Sequence, residues 1–171
     1  LASEIRWTAF PRATDKVFVT AKVKNTVGSA LPAGEARVFV GPDYVGPFAL
    51  ADWGQDKEID AGLGVDCDVE GTRETLKNER STSGVFTKDT VHTRAFRLSV
   101  KNHRDRAIDV RLVDQLPVSN DEDLGVKMTD TTLALAALPA REAETNKARG
   151  VLEWRFALAA KASLDVRFAF E

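Results

Sequence analysis

The sequence contains little cysteine and histidine and has no long apolar run. Among its 171 residues are one cysteine, Cys67, and two histidines, His92 and His103. A lone cysteine forms no internal disulfide and cannot build a multi-cysteine zinc site. Nucleophilic catalysis usually needs a histidine base, and no Gly-x-Ser-x-Gly segment is present to offer a serine. No apolar stretch approaches the ~20 residues of a membrane-spanning helix. We therefore predict no catalytic residues and no transmembrane segment.

Neither sign of charge is in excess. The 24 Lys and Arg residues nearly balance the 26 Asp and Glu residues, so the formal net charge is −2. A nucleic-acid-binding protein generally shows a basic stripe, and we predict no nucleic-acid partner. Locally, residues 56–79 carry eight acidic and three basic residues, whereas residues 88–111 carry seven basic and three acidic. Such patches can orient a partner, but we favour two solvated faces of different sheets.

Alternation of apolar and polar residues is abundant. Successive side chains of a strand point to opposite faces, so a period of two buries one face and leaves the other in water. Sheets with one wet face are typically antiparallel and packed in pairs. We predict an all-β fold: an elaborated antiparallel two-sheet β-sandwich, immunoglobulin-like or fibronectin-like, with about ten to twelve strands. The clearest alternating stretches are residues 17–23, 96–100, 108–112, 152–158 and 164–170.

The domain organisation follows from length and from the first residue. We expect residues 1–171 to form a single domain, because all-β domains are often longer than average. The chain begins at Leu1, without an initiator Met or a charged-then-apolar leader. We therefore expect it to be an excised or processed piece of a longer protein.

Segments between the clear strands carry further predictions. Residues 70–80 are polar and lack the apolar stripe of a stable helix, which favours a long, exposed β-ribbon over residues 70–87. Residues 35–40 and 44–51 read as two short strands around a Gly-Pro-Asp connection. Residues 139–150 are polar, and we predict a flexible loop there.

The stretches 90–102 and 107–116 are predicted to form a hairpin. Placing Lys101 opposite Asp109 pairs unlike charges and aligns the apolar residues of both strands. A shift by two residues would oppose two arginines, which is unfavourable.

Two groups of carboxylates offer oxygen ligands for a hard cation. One is Asp66-Cys67-Asp68, and the other is the acidic loop 120–123, which could act together with Asp114. We favour structural roles: the first group satisfies local backbone amides, and the second is solvated. We predict no metal and no cofactor, with a metal-assisted hydrolase as a distant alternative. Cys67 itself is interpreted as a small buried hydrophobe.

The aromatic residues receive separate predictions. Trp154 alternates with other apolar residues and belongs to the core. Trp53 lies beside a turn glycine, where its ring could offer a flat face to a sugar, although packing over a sheet edge is favoured. Trp53 and Tyr44 are the candidate ligand-binding residues.

Several short segments resemble the C-terminal domain of unknown function of the mucoidy inhibitor A-like bacterial proteins. The segments that carry this resemblance are Leu31–Phe39, Tyr44–Gly46, Gly62–Asp66, Asn102 with Asp114–Ser119, and Gly150–Trp154. The resemblance implies a larger bacterial protein with another N-terminal domain and a helical middle. It points to the periplasm or cell envelope, and it supplies no catalytic residues.

Together these observations favour a non-enzymatic structural or interaction module of an envelope-associated protein. The expected partner is a protein or another domain of the parent chain. A carbohydrate-binding module is the alternative, with a polysaccharide as its ligand.

Overall fold

The computed structural model describes residues 2–40, 43–83, 89–119 and 125–171. Within these residues the chain forms ten β-strands and one α-helix. In chain order they are β1 (Ala2–Ala9), β2 (Lys16–Lys24), β3 (Gly34–Val40), β4 (Asp43–Leu50), β5 (Glu58–Ser83), β6 (Asp89–Asn102), β7 (Ile108–Gln115), β8 (Met128–Thr131), α1 (Ala140–Ala148), β9 (Val151–Leu158) and β10 (Ser163–Phe170). The predicted all-β fold class is confirmed.

Eight strands form one continuous sheet in the order β8-β10-β6-β5-β2-β1-β7-β9. The strands β3 and β4 form a separate two-stranded hairpin, as predicted for residues 35–51. All neighbours are antiparallel except β1 and β7, which are parallel. The large sheet is therefore mixed and not purely antiparallel. The parallel pair of β1 and β7 joins into one sheet the strands that were predicted to form two.

The core shows that the large sheet folds over itself. Trp154 of β9 is fully buried, and its ring centroid lies 5.6 Å from that of Phe168 in β10. These two strands are far apart in the sheet order, so their contact brings the two ends of the sheet face to face. The predicted core position of Trp154 is confirmed. Alternate residues of β6, namely Phe96, Leu98 and Val100, are buried in the same cluster.

The predicted hairpin between residues 90–102 and 107–116 is wrong. The first stretch, β6, pairs with β5 and β10, whereas the second, β7, pairs with β1 and β9. Lys101 lies opposite Glu70, and Asp109 lies opposite Ala157. Between β6 and β7 the chain crosses from one layer of the folded sheet to the other, so β7 does not lie beside β6 as it would in a hairpin.

Asn102 provides the physical reason for this crossing. Its fully buried side chain donates hydrogen bonds to the carbonyls of Arg106 and Ala159, both at 2.9 Å. Its side-chain oxygen accepts from the backbone N–H of Arg104. These bonds organise the connection around a buried amide and attach it to the end of β9, which disfavours a simple two-strand turn.

The flexible loop predicted for residues 139–150 is also wrong, because most of it forms α1. The segment lacks an apolar stripe, and none of the helical residues is buried, but alanine, glutamate, lysine and arginine are good helix formers. Gly150 follows the helix with φ of +66°, a conformation that favours glycine.

None of the described residues belongs to a helix with the length and apolar character needed to cross a membrane.

The predicted β-ribbon is confirmed over residues 70–83. There β5 pairs with β6 from Glu70 to Ser83, with a bulge at Leu76. Residues 84–87 of the predicted ribbon, and the acidic loop 120–123, lie outside the described residues.

Candidate functional site

The two candidate ligand-binding residues, Trp53 and Tyr44, lie in different environments. Trp53 is 5 % exposed, and its indole N–H donates to the Lys57 carbonyl at 2.8 Å. Its backbone forms a bridge with Leu31. Tyr44 is 55 % exposed, and its ring centroid lies 5.3 Å from that of Phe39. Trp53 therefore offers no open ring face, and among the described residues the exposed aromatic side chains are Tyr44 and Phe39.

Asp66 is buried within a hydrogen-bonded cluster. It accepts from the Trp7 indole and from Arg104 Nε, both at 2.6 Å, and from the Asp68 backbone N–H at 3.0 Å. Burial opposes ionisation of Asp66, but the bonds from Arg104, Trp7 and the Asp68 amide outweigh it, so its pKa lies below the usual value. Asp66 thus satisfies a local amide, as predicted. Cys67, predicted to be buried, is exposed, because it alternates with the inward-facing Asp66.

Glu153 is a second buried carboxylate held by arginine. Arg111 donates to it at 2.8 Å and Arg155 at 2.6 Å. Burial opposes ionisation of Glu153, but these two guanidinium groups outweigh it, and the pKa of Glu153 lies below its usual value.

Asp114 is the third buried carboxylate. Its side chain is fully buried and accepts from Arg73 Nε at 2.8 Å. The Arg73 guanidinium lies 3.5 Å from the centroid of the Phe96 ring, so it is held by both an ion pair and an aromatic face. No group of three or more potential metal ligands occurs within the described parts of the chain.

The histidines occupy separate regions. His92 is exposed on the ribbon, opposite Arg80. His103 is partly exposed, with Nε2 3.5 Å from Glu70. The two residues share no site.

An apolar groove of about 640 Å³ lies beside α1. Among the described residues, three large exposed apolar side chains line it, Val118, Val126 and Leu135. Pro117–Ser119, from one of the segments that carry the family resemblance, forms part of one wall, whereas Asp114 of the same segment is buried against Arg73.

The uneven charge along the sequence is largely paired within one sheet. The acidic segment lies mostly on β5 and the basic segment mostly on β6, which are neighbours. Arg97 pairs with Glu74 at 3.0 Å, and Arg104 pairs with Asp66 at 2.6 Å. The interpretation as faces of different sheets is therefore wrong.

The ribbon formed by β5 and β6 has an open edge. The strand β2 accompanies β5 from Glu58 to Glu70, and the Gly71 N–H then bonds the Asp15 carbonyl at 3.0 Å. From residue 72 to Ser83, β5 has only β6 as a neighbour among the described strands. At about 3.3 Å per residue this edge is roughly 40 Å long.

One face of the ribbon is basic. Alternation along β6 places Arg94 and His92 on the same face as the buried Phe96. Arg80 lies opposite His92 and therefore shares this face. Beyond the core, this face contains arginine, histidine, asparagine and threonine but no carboxylate over the described ribbon residues.

The basic face was missed from the sequence although a signal was present. The period of two that runs from Val100 through Leu98 to Phe96 continues to Arg94 and His92. Counting charges over a window hides this feature, because acidic residues of the opposite face are counted with it.

The comparisons with known proteins identify the family. A model described as a domain of unknown function, DUF4139, matches residues 7–171. The chain belongs to the DUF4139 family. No curated protein and no solved structure matches it. The match confirms one part of the predicted resemblance, namely that the chain is a domain of unknown function. The family match includes the described ribbon, the buried carboxylates and the apolar groove.

Proposed function

We propose that this domain is a non-enzymatic interaction module that takes up an extended segment of a protein partner at the open edge of β5. The observation that carries the proposal is the continuation of β5 past the end of β2. An exposed strand edge offers unpaired N–H and C=O groups, and a partner strand gains affinity by pairing with them.

The other edges of the large sheet are less available. The strand β8 at one edge is only 4 residues long. At the opposite edge, β9 already accepts a hydrogen bond from the Ala136 N–H at the Glu153 carbonyl, at 2.8 Å. Short and covered edges are common protections against unwanted pairing. The β5 edge has neither protection in the described part of the chain.

The ladder indicates which backbone groups face the open edge. The Asn102 N–H points to the β10 side, and alternate residues of an antiparallel strand face alternate neighbours. Odd-numbered residues of β6 therefore face β5, and Val91 lies opposite Ser81 beyond the bulge. Ser81 thus pairs with β6, whereas the N–H and C=O of Thr82 face outward.

The resemblance to mucoidy inhibitor A-like proteins supports a place in the bacterial cell envelope. The partner is then another domain of the parent chain or a separate envelope protein. The carbohydrate-binding alternative rests on Tyr44 and Phe39, because Trp53 is buried.

Site-specific photo-crosslinking in the native host tests the proposal. A photoreactive side chain at Thr82 is expected to give an adduct with one defined protein or with another segment of the parent chain. The same group at Asp105, an exposed turn residue far from Thr82 in the sequence, is the control and is expected to give none. Adducts from neither position, or equal adducts from both, would contradict the proposal.

A proline substitution then separates strand pairing from general contact. Thr82→Pro removes an outward N–H without removing a ladder bond to β6, and proline is tolerated at strand edges. We expect copurification of the crosslinked partner to fall at least about tenfold, which corresponds to ~1.4 kcal/mol. Thr82→Val keeps the N–H and is expected to retain the partner. Equal retention by both variants would show that the edge is not used.

A further inference from the structure

The base of the ribbon contains a cleft in which three arginines meet. The cleft has a volume of about 330 Å³ and is lined by Arg12, Arg73 and Arg94. It also contains polar side chains that can donate or accept hydrogen bonds, Thr75, Asn78 and Gln115. Among the described residues, no carboxylate lines it. We call this feature the arginine cleft.

Two of the arginines are held in place. The Nε of Arg73 is bonded to Asp114, and its guanidinium plane rests near Phe96. Its terminal nitrogens have no hydrogen-bond partner among the described residues. Arg12 donates from Nη1 to the Gln115 carbonyl at 2.8 Å. Both guanidinium groups are thus positioned while retaining N–H groups for a ligand.

Arg94 is the uncompensated charge of the cleft. No carboxylate within the described residues pairs with it, although it lies directly opposite Asn78 and beside Phe170. The nearby Glu171 side chain accepts from Thr93, which alternation places on the opposite face of β6. Among the described residues, Asp114 offsets one of the three arginines, so the part of the cleft that the structure describes retains a formal charge of about +2.

We propose that the arginine cleft binds an oxyanion, a carboxylate or phosphate group of a small ligand. The forked N–H groups of arginine match the oxygen atoms of both groups, and such charge-assisted bonds are stronger than neutral ones. Bringing three arginines together with one neutralising carboxylate, Asp114, costs electrostatic energy, and a bound anion offsets that cost. This proposal does not rest on strand pairing at the β5 edge, although Arg73, Thr75 and Asn78 of β5 line the cleft.

Titration of the 171-residue chain, followed by amide NMR shifts, tests the proposal. The probes are inorganic phosphate, glucuronate as a carboxylate and glucose as the neutral control, all at one ionic strength. We expect saturable shifts at Thr75, Asn78 and Gln115 with at least one anion. Saturable shifts with only phosphate or only glucuronate would identify the ligand class. Saturable shifts with both anions would identify a general oxyanion site. Saturation by neither anion, or equal saturation by glucose, would overturn the proposal.

Matched variants separate the cleft from general charge. Arg94→Ala is expected to weaken anion binding at least about tenfold. It should leave the thermal midpoint near that of the wild type, because Arg94 has no described partner to lose. Arg141→Ala, on exposed α1, is expected to bind as the wild type does. Anion binding unchanged by Arg94→Ala would exclude the cleft as the site. Thr82→Pro should also leave anion binding unchanged, so failure of this proposal can be distinguished from failure of the proposed strand pairing at the β5 edge.

Discussion

At the scale of single residues, buried carboxylates decide which cross-strand neighbours are tolerated. Arg111 lies directly opposite Arg155, an arrangement that is unfavourable by itself. Glu153 accepts from both guanidinium groups and makes the pair favourable. Avoidance of opposed arginines was therefore a poor guide to register, because a third residue can compensate.

The replacement Glu153→Gln tests this role of the carboxylate. At pH 7 we expect the free energy of unfolding to fall by about 1–3 kcal/mol, because two arginines lose a charged acceptor. The pKa of Glu153 is lowered in the folded state, so its stabilisation is present at neutral pH and is lost as pH falls below its usual value. The difference between wild type and variant should therefore shrink below about pH 4, as measured by denaturant unfolding across pH.

The exposed pair of Glu79 and Lys77 supplies the control for that measurement. Glu79→Gln is expected to change the free energy of unfolding by less than about 0.5 kcal/mol, because exposed ion pairs contribute little. A loss for Glu153→Gln that is equally large at pH 3 and pH 7 would contradict the proposed role of its charge.

At the scale of elements, polarity alone did not show which polar segment becomes a strand and which becomes a helix. The ribbon was predicted because residues 70–80 lack an apolar stripe, and α1 lacks one too. The two differ in composition: the segment 140–148 is rich in alanine and glutamate, whereas the ribbon contains several threonines and serines. Helix propensity favours a helix over 139–150. Residues 73–80 also contain good helix formers, so the pairing of β5 with β6 decides that the ribbon is extended.

The end of α1 supplies a prediction at this scale. A side chain at Gly150 would place Cβ 2.7 Å from the Leu116 carbonyl oxygen and 2.9 Å from Val118 Cγ2, in a backbone with φ of +66°. We expect Gly150→Ala to lower the free energy of unfolding by about 1–3 kcal/mol, because both the contacts and the backbone are strained. Chemical denaturation measures the change.

Gly34 is the matched control for Gly150. A Cβ at Gly34 meets no atom within 4 Å, and the glycine has no positive φ. Gly34→Ala should therefore change stability by less than about 0.5 kcal/mol. If the two alanine variants were equally stable, the close approach at Gly150 would not affect the free energy of unfolding, and this prediction would be wrong.

At the scale of the whole molecule, burial is concentrated in the folded-over sheet. The core cluster draws on β6, β7, β9 and β10 together with parts of β1, β2 and β5. No side chain described in the β3–β4 hairpin is buried. Hairpins without a buried face have little stability of their own.

Native-state hydrogen exchange tests this division. Amides of β6 and β10 should exchange by global unfolding, with a strong dependence on denaturant. Amides of the β3–β4 hairpin should exchange much faster, by local opening that depends little on denaturant. Equal protection and equal denaturant dependence in both regions would show that the hairpin unfolds only with the core.

Alternation along the amino-acid sequence was enough to locate most strands and their wet faces, because side-chain alternation is a local property of extended backbone. It was therefore sufficient for the all-β class, the burial of Trp154 and the existence of the ribbon. The pairing of β6 with β5 and β10, and the parallel pairing of β1 with β7, could be read only from the folded chain. These pairings depend on contacts between distant residues and on buried groups such as Asn102. The arginine cleft arises in the same way, because Arg12, Arg73 and Arg94 meet only after three separate parts of the chain have packed together.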